Sequence, residues 1–204
     1  MNTSNQSRDR LARLLATENI DVIRSNVATA AFDIKNRVLI LPRWKDMTDE
    51  IEEMLMLHEV GHALYTIRDE YGVVYEKEKK HLREYANVIE DVRIERKMKE
   101  RYPGSRKSFG AGYRQLNDRD FFGVKNRELN ALLLIDRINI YYKVGYNSGV
   151  KFTQEEYAFV RRADLCETVE EVLQLAEEIY EYSKTKSEES DISNVLDNLN
   201  QELK

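Results

Sequence analysis

One cysteine, two prolines and eight glycines are all that 204 residues contain. Each scarcity excludes something. A lone Cys166 cannot form an internal disulfide, so a disulfide-stabilised scaffold is ruled out. Its neighbours, in ADLCETVEE, are acidic and disfavour a thiolate, which argues against a catalytic thiol. So few turn-forming residues argue against a turn-rich all-β chain. Long hydrophobic runs are also missing. The longest, Ala131 to Ile135, is far too short to span a bilayer. The first twenty residues lack the apolar stretch and small-residue cleavage site of a signal peptide, so a cytoplasmic protein is expected. Basic excess is absent too: the net charge is −5, and acids interleave clusters such as Lys77, Lys79 and Lys80, which read as a solvated helix face. No nucleic-acid partner and no membrane partner are expected.

What remains is rich in helix formers. The chain reads as mainly α with a small β-hairpin or sheet. Residues 7–18 form a short amphipathic helix behind Ser7, with Leu11, Leu14 and Leu15 on its apolar side. Residues 27–42, VATAAFDIKNRVLILP, are β-branched and apolar around Lys35-Asn36. They predict two strands joined by a tight turn, with Asn36 left-handed and Pro42 closing the second strand. Thr48 caps a helix running to about Ile67, and a loop follows around Gly72. A long helix covers 76–101 and stops before Pro103-Gly104. Residues 103–126 lack clear periodicity and read as an ordered loop. Helices at 127–143, 153–164 and 168–183 follow; capping boxes at Thr153 with Glu156 and Thr168 with Glu171 start the last two. Residues 1–183 are expected to form the domain and 184–204 a polar tail or linker.

The chemistry sits in His58-Glu59-Val60-Gly61-His62, an H-E-x-x-H pattern. On a helix, residues i and i+4 share a face, so both imidazoles reach one ion, while Glu59 is rotated by about 100° and flanks it. That suits two metal ligands and a general base acting on water. The surrounding MLMLHEVGHALYTI is apolar on every side, which marks a buried helix. Burying two histidines and a glutamate is costly unless something compensates them, and a metal ion would.

A catalytic zinc site takes three protein ligands and one open position. The helix at 76–101 offers Glu90 and Asp91, with His81 as a rival. Advancing about 100° per residue from Leu82, the residues Tyr85, Ala86, Ile89 and Val92 define an apolar stripe between about −80° and +40°. Glu90 falls at its edge near +80°, Asp91 near 180° and His81 near −100°, which favours Glu90. Asn87 shares that side as a candidate supporting residue. Arg93 lies inside the stripe and needs a carboxylate partner.

HEVGHALYT followed by a helical Glu resembles the gluzincin class of zinc metallopeptidases, and HEVGHALY is similar to the carboxypeptidase Taq type. With FDIKNRVLILP, NVIEDVRIERKMKERYPG and SFGAGYRQL, residues 27–122 look like metallopeptidases of large tailed phages. They also resemble cobaltochelatase-associated proteins that pair such a segment with a von Willebrand factor A domain. The resemblance implies a zincin-like domain, a Zn2+ cofactor, a protein or peptide substrate and, for a phage protein, the host cytoplasm. It further implies that the strand ending near Pro42 is the edge strand that aligns substrate. Two departures stand out: no von Willebrand-type metal motif is visible, and Ile94 breaks the gluzincin Glu-x-x-x-Asp spacing. Tyr113, in FGAGYRQL, is the candidate oxyanion donor. The competing expectations are a non-catalytic, metal-stabilised phage assembly or regulatory module, and an adaptor of a chelatase-like ATPase complex. Each brings a larger protein partner or an oligomer.

Overall fold

A computed structural model describes the backbone of residues 3–66 and 80–202, and side chains within 5–66, 81–145 and 147–187. The expected loop around Gly72, the helix start at 76, and Lys77 and Lys79 lie outside the described residues. The described architecture is mainly helical with one three-stranded sheet. No described helix is long and apolar enough to cross a membrane.

Helix α1 (Thr3–Ala16) leads into β1 (Asp21–Ser25), β2 (Ala31–Asp33) and β3 (Val38–Pro42). The expected β2–β3 hairpin forms, with Phe32 opposite Leu39. Its turn is held by Asp33, whose carboxylate accepts the backbone N–H of Asn36 at 2.9 Å and its side-chain amide at 2.7 Å. The left-handed residue is Arg37 (φ 55°), not Asn36. A third strand, β1, pairs parallel to β3 from Asp21–Val38 to Ser25–Pro42. The order is therefore β1-β3-β2, and the strand ending at Pro42 is central. This corrects the edge-strand expectation: β1 and β2 are the edges.

Helix α2 (Asp49–Tyr65) starts at Thr48, whose hydroxyl accepts the Ile51 N–H. It is buried round its circumference, as its apolar composition predicts: Ile51, Met54, Met56 and Val60 are 0–1% exposed. Helix α3 (Arg83–Arg101) crosses it at Gly61, where a Cβ would meet Ile94 Cδ1 at 2.8 Å. Residues 103–126, expected as loop, contain helix α4 (Ser105–Asp118). Phe109, Gly112, Tyr113 and Leu116 form its buried stripe at helical spacing. Gly112 there is a packing requirement: a Cβ would lie 2.4 Å from Met54 Cβ.

Helices α5 (Leu134–Val144), α6 (Gln154–Leu165) and α7 (Val169–Glu202) complete the chain. The segment expected as helix from 127 instead begins with a 3-10 turn at Leu129–Ala131. Both capping boxes form. Thr153 exchanges hydrogen bonds with Glu156, and Thr168 does so with Glu171. The backbone of α7 continues to Glu202, past the expected end at 183.

Burial divides between two cores. The first joins α1, the sheet, α2 and α4 with Met98 of α3. The second joins Tyr85, Ala86, Ile89 and Val92 of α3 to α5, α6 and α7. Helix α3 belongs to both, so its opposite faces look into different interiors.

Candidate metal centre

His58 and His62 project from the middle of α2 towards α3, and the carboxylate that meets them is that of Asp91. Its Oδ1 lies 3.4 Å from His58 Nε2 and 3.4 Å from His62 Nε2. The three groups form a set whose ligand atoms lie within 4.8 Å of one another. The spacing is informative. A charge-assisted N–H···O bond is about 2.7–2.9 Å long. By contrast, ligands at about 2.0–2.1 Å from a tetrahedral ion sit about 3.4 Å apart. This group could hold a metal ion, and its two His–Asp91 separations are compatible with ligands of one ion.

The far nitrogens of both rings are committed in the sense a metal site needs. His58 Nδ1 lies 3.1 Å from Glu95 Oε1. An ionised carboxylate only accepts, so Nδ1 carries a proton, and in the neutral ring Nε2 keeps its lone pair. His62 Nδ1 lies 3.0 Å from the Thr66 hydroxyl, which donates its own proton to Glu90 Oε1. That hydroxyl therefore accepts from His62 Nδ1, and the second Nε2 lone pair is freed as well. Outer partners of this kind fix the tautomer and orientation of ligating histidines.

Glu90 is thus one residue removed from the imidazoles rather than beside the ligand position. It is completely buried, and Arg93 grips it with Nε at 2.8 Å and an NH2 nitrogen at 2.7 Å. Arg93 also donates to the Tyr65 carbonyl at 2.8 Å and the Glu167 carbonyl at 3.1 Å, tying α2 and the start of α7 to α3. The expected carboxylate partner of Arg93 is therefore Glu90. The carboxylate that the structure groups with His58 and His62 is Asp91, not the expected Glu90. The apolar stripe was located properly, but it faces the second core. Helix α2 packs on the opposite side, where Ile94 and Met98 meet Gly61. On that side, centred near 180° from Leu82, lies Asp91. His81 stacks on Tyr180 with centroids 4.6 Å apart, so it does not join the group. Asn87 lines the cleft.

Tyr113 is buried on α4 and donates its hydroxyl to Glu95 Oε1. The oxyanion-donor role expected for it does not fit this placement, because the hydroxyl is committed to the carboxylate behind His58. Burial and the adjacent Glu95 charge hold its phenol well above the usual range. Glu95 also takes Lys99 Nζ at 3.0 Å. Lys143, from α5, places its Nζ 2.9 Å from Asp91 Oδ2. Asp91 thus turns one oxygen to the histidines and the other to an ammonium. Glu95 and Thr66 were legible as i+4 neighbours of Asp91 and His62; nothing local in the sequence marks Lys143.

The electrostatics favour positive charge at His58. Burial alone would lower the His58 pKa, but Asp91 and Glu95 prevail and raise it to about 10. Burial opposes ionisation of Glu95 as well, yet its hydrogen bond from His58 and the Lys99 charge bring it down to about 2. Burial raises Glu59, which is 5% exposed and so holds its proton more tightly than a surface glutamate. Cys166 is buried far from this site, and burial pushes its thiol up to about 11, in line with an unreactive role.

The site opens into a cleft of about 370 Å³ between the β2 segment and the crossing of α2 with α3. Ala31, Phe32 and Ile34 form one wall, and His58, Glu59 and Lys143 the other. No protein-family profile, curated protein or solved structure matches the chain.

Proposed function

We propose that the chain is a zinc-dependent peptidase, with His58, His62 and Asp91 as the metal ligands and Glu59 as the general base. The observation that carries this reading is the convergence of His58, His62 and Asp91 with ligand atoms within 4.8 Å of one another, with Glu59 on the same helix and a cleft in front. Two imidazoles and one carboxylate are a donor set suited to zinc, and three protein ligands are the number of a catalytic centre. A bound zinc ion would supply Lewis acidity, activating water and polarising a scissile carbonyl. The remaining work falls to the chain. Glu59, next to His58 and within the cleft wall, takes the proton from the attacking water and passes it to the leaving amine. Glu95 and Thr66 keep both imidazoles in the ligating tautomer. Lys143 holds Asp91 Oδ2, so that Asp91 offers a single oxygen. Among the described residues no strand pairs with the outer edge of β2, along which an extended peptide can align.

The test is Glu59→Gln in the zinc-loaded protein. Glutamine keeps the size but cannot accept the proton. Metal content by elemental analysis should stay near one zinc per chain, while peptide hydrolysis falls by about 10²–10⁴-fold. Undiminished hydrolysis would remove Glu59 from the mechanism, and loss of zinc would reassign it to the ligand set.

A further inference from the structure

Lys143 also lines a second groove, about 440 Å³, between α4 and the end of α5. The charged side chains of this lining are Lys99, Arg106, Arg114 and Lys143, with no carboxylate among them. Such a one-signed surface runs against a net chain charge of −5. Lys99 and Lys143 are engaged by Glu95 and Asp91. Arg106 and Arg114 are exposed, and neither forms an ion pair among the described residues. Gly110 lies midway between them, at i+4 from Arg106 and i−4 from Arg114, on one face of α4. Glycine inside a helix is destabilising, so packing usually has to demand it. Here packing does not: a Cβ at Gly110 would meet nothing within 4 Å. The bare floor between two arginines is space left for something else.

We infer that this groove binds acidic side chains of a peptide, with Arg106 and Arg114 as the contacts and Gly110 as the floor between them. Resting on the peptidase reading, this makes the substrate class acidic peptides. Eight helical residues separate the two arginine backbones by about 12 Å. An extended peptide advances about 3.3 Å per residue, and residues an even number apart share a face. Two carboxylates four positions apart match that separation. Lys143 lines both the groove and the metal cleft, so the two lie side by side. A nucleic acid is the less suitable occupant, because its unbroken run of phosphates extends beyond the four cations of the groove onto a chain of net charge −5, whereas two carboxylates do not.

The experiment uses the full-length Glu59→Gln protein, so that binding is read without turnover. Two fluorescent peptides are compared, identical except for two glutamates or two glutamines four positions apart. The glutamate peptide should bind about ten-fold more tightly at low salt, and the difference should fade as salt screens it. The preference should vanish in the double variant Arg106→Gln/Arg114→Gln. It should also shrink in Gly110→Gln, whose side chain fills the floor without displacing neighbours. Equal affinities, a preference that survives the double variant, or tighter binding of a single-stranded oligonucleotide would each overturn the proposal. Selective binding by a wild-type protein that cleaves neither peptide would instead count against the peptidase reading and leave the groove standing.

Discussion

Two buried polar clusters lie on either side of α3, and they are built to opposite rules. In the second core, Arg137 and Glu156 are 9% and 6% exposed. The guanidinium reaches Glu156 through both terminal nitrogens, and it also donates to the Leu132 and Lys151 carbonyls at 3.1 and 2.9 Å. Glu156 accepts the Thr153 N–H as well, at 2.9 Å. That cluster is closed: donors and acceptors cancel within the protein. At the seam between the cores, the outer atoms of the cluster are equally well satisfied, by Glu95, Thr66, Lys99 and Lys143. The inner atoms are not. Two Nε2 atoms face one carboxylate oxygen at 3.4 Å, and a proton on His58 is what the described residues supply between them. A buried network that satisfies itself is structural, whereas one that satisfies everything except a single shared point is a group that could hold a cation.

If that contrast is right, breaking each cluster should affect a different property. Arg137→Ala leaves Glu156 buried without its partner and should lower folding stability by about 3–5 kcal/mol. The midpoint of urea unfolding would report this, while zinc affinity of the folded protein stays at the wild-type value. Asp91→Ala should do the reverse. It removes a ligand from a partly exposed position, so the fold persists and zinc affinity falls by at least about 100-fold in chelator competition. Glu90→Ala should damage both properties, since it strands Arg93 and frees Thr66. If Glu90→Ala weakens zinc more than Asp91→Ala does, Asp91 is not the ligand.

A smaller effect is expected one step out. Thr66→Val keeps the shape of the α2 terminus but removes the hydroxyl that accepts from His62 Nδ1. Zinc affinity should fall by about 10–100-fold, with Thr66→Ser restoring most of it. Equal affinity in Thr66→Val would mean that His62 keeps its tautomer without help.

How much of this the sequence discloses follows the range of the interactions involved. The H-E-x-x-H ladder, the two capping boxes and the β2–β3 hairpin are local, and periodicity or i+3 and i+4 spacing reveals them. Strand β1 is short, carries Asp21 and Ser25 at its ends, and pairs in parallel with a strand beyond β2. Its identity depends on a partner distant in the chain. Helix α4 was hidden by Gly110 and Gly112, which read as loop formers, although one is forced by contact with Met54. Glu90 was expected beside the histidines where Asp91 lies, because an angular argument finds the apolar face of a helix but not which neighbour covers it. Helix α3 is covered on two sides, so the acid opposite its apolar stripe faces the histidines. Lys143 comes from a helix more than fifty residues beyond Asp91, and only the tertiary structure brings it there.

The gentlest probe of the contrast is pH. Burial alone would raise the Glu156 carboxyl, but the hydrogen bonds from Arg137 and the Thr153 N–H outweigh it and hold the folded pKa below the ordinary 4.5. A carboxyl that binds its proton less tightly when folded stabilises the fold fully above its unfolded pKa. That contribution is lost as pH falls through the depressed folded value. Unfolding free energy measured between pH 6 and pH 3 should therefore fall more steeply for the wild type than for Glu156→Gln. The variant starts from a lower stability because it has already lost the ionic partner of Arg137. The comparison is best made in the Asp91→Ala background, where the carboxylate nearest the imidazoles no longer adds its own titration. Parallel slopes for the two proteins would mean that the Arg137–Glu156 pair is not ionised in the way its closed geometry implies. The second cluster would then lose its standing as the self-satisfied counterpart of the metal centre.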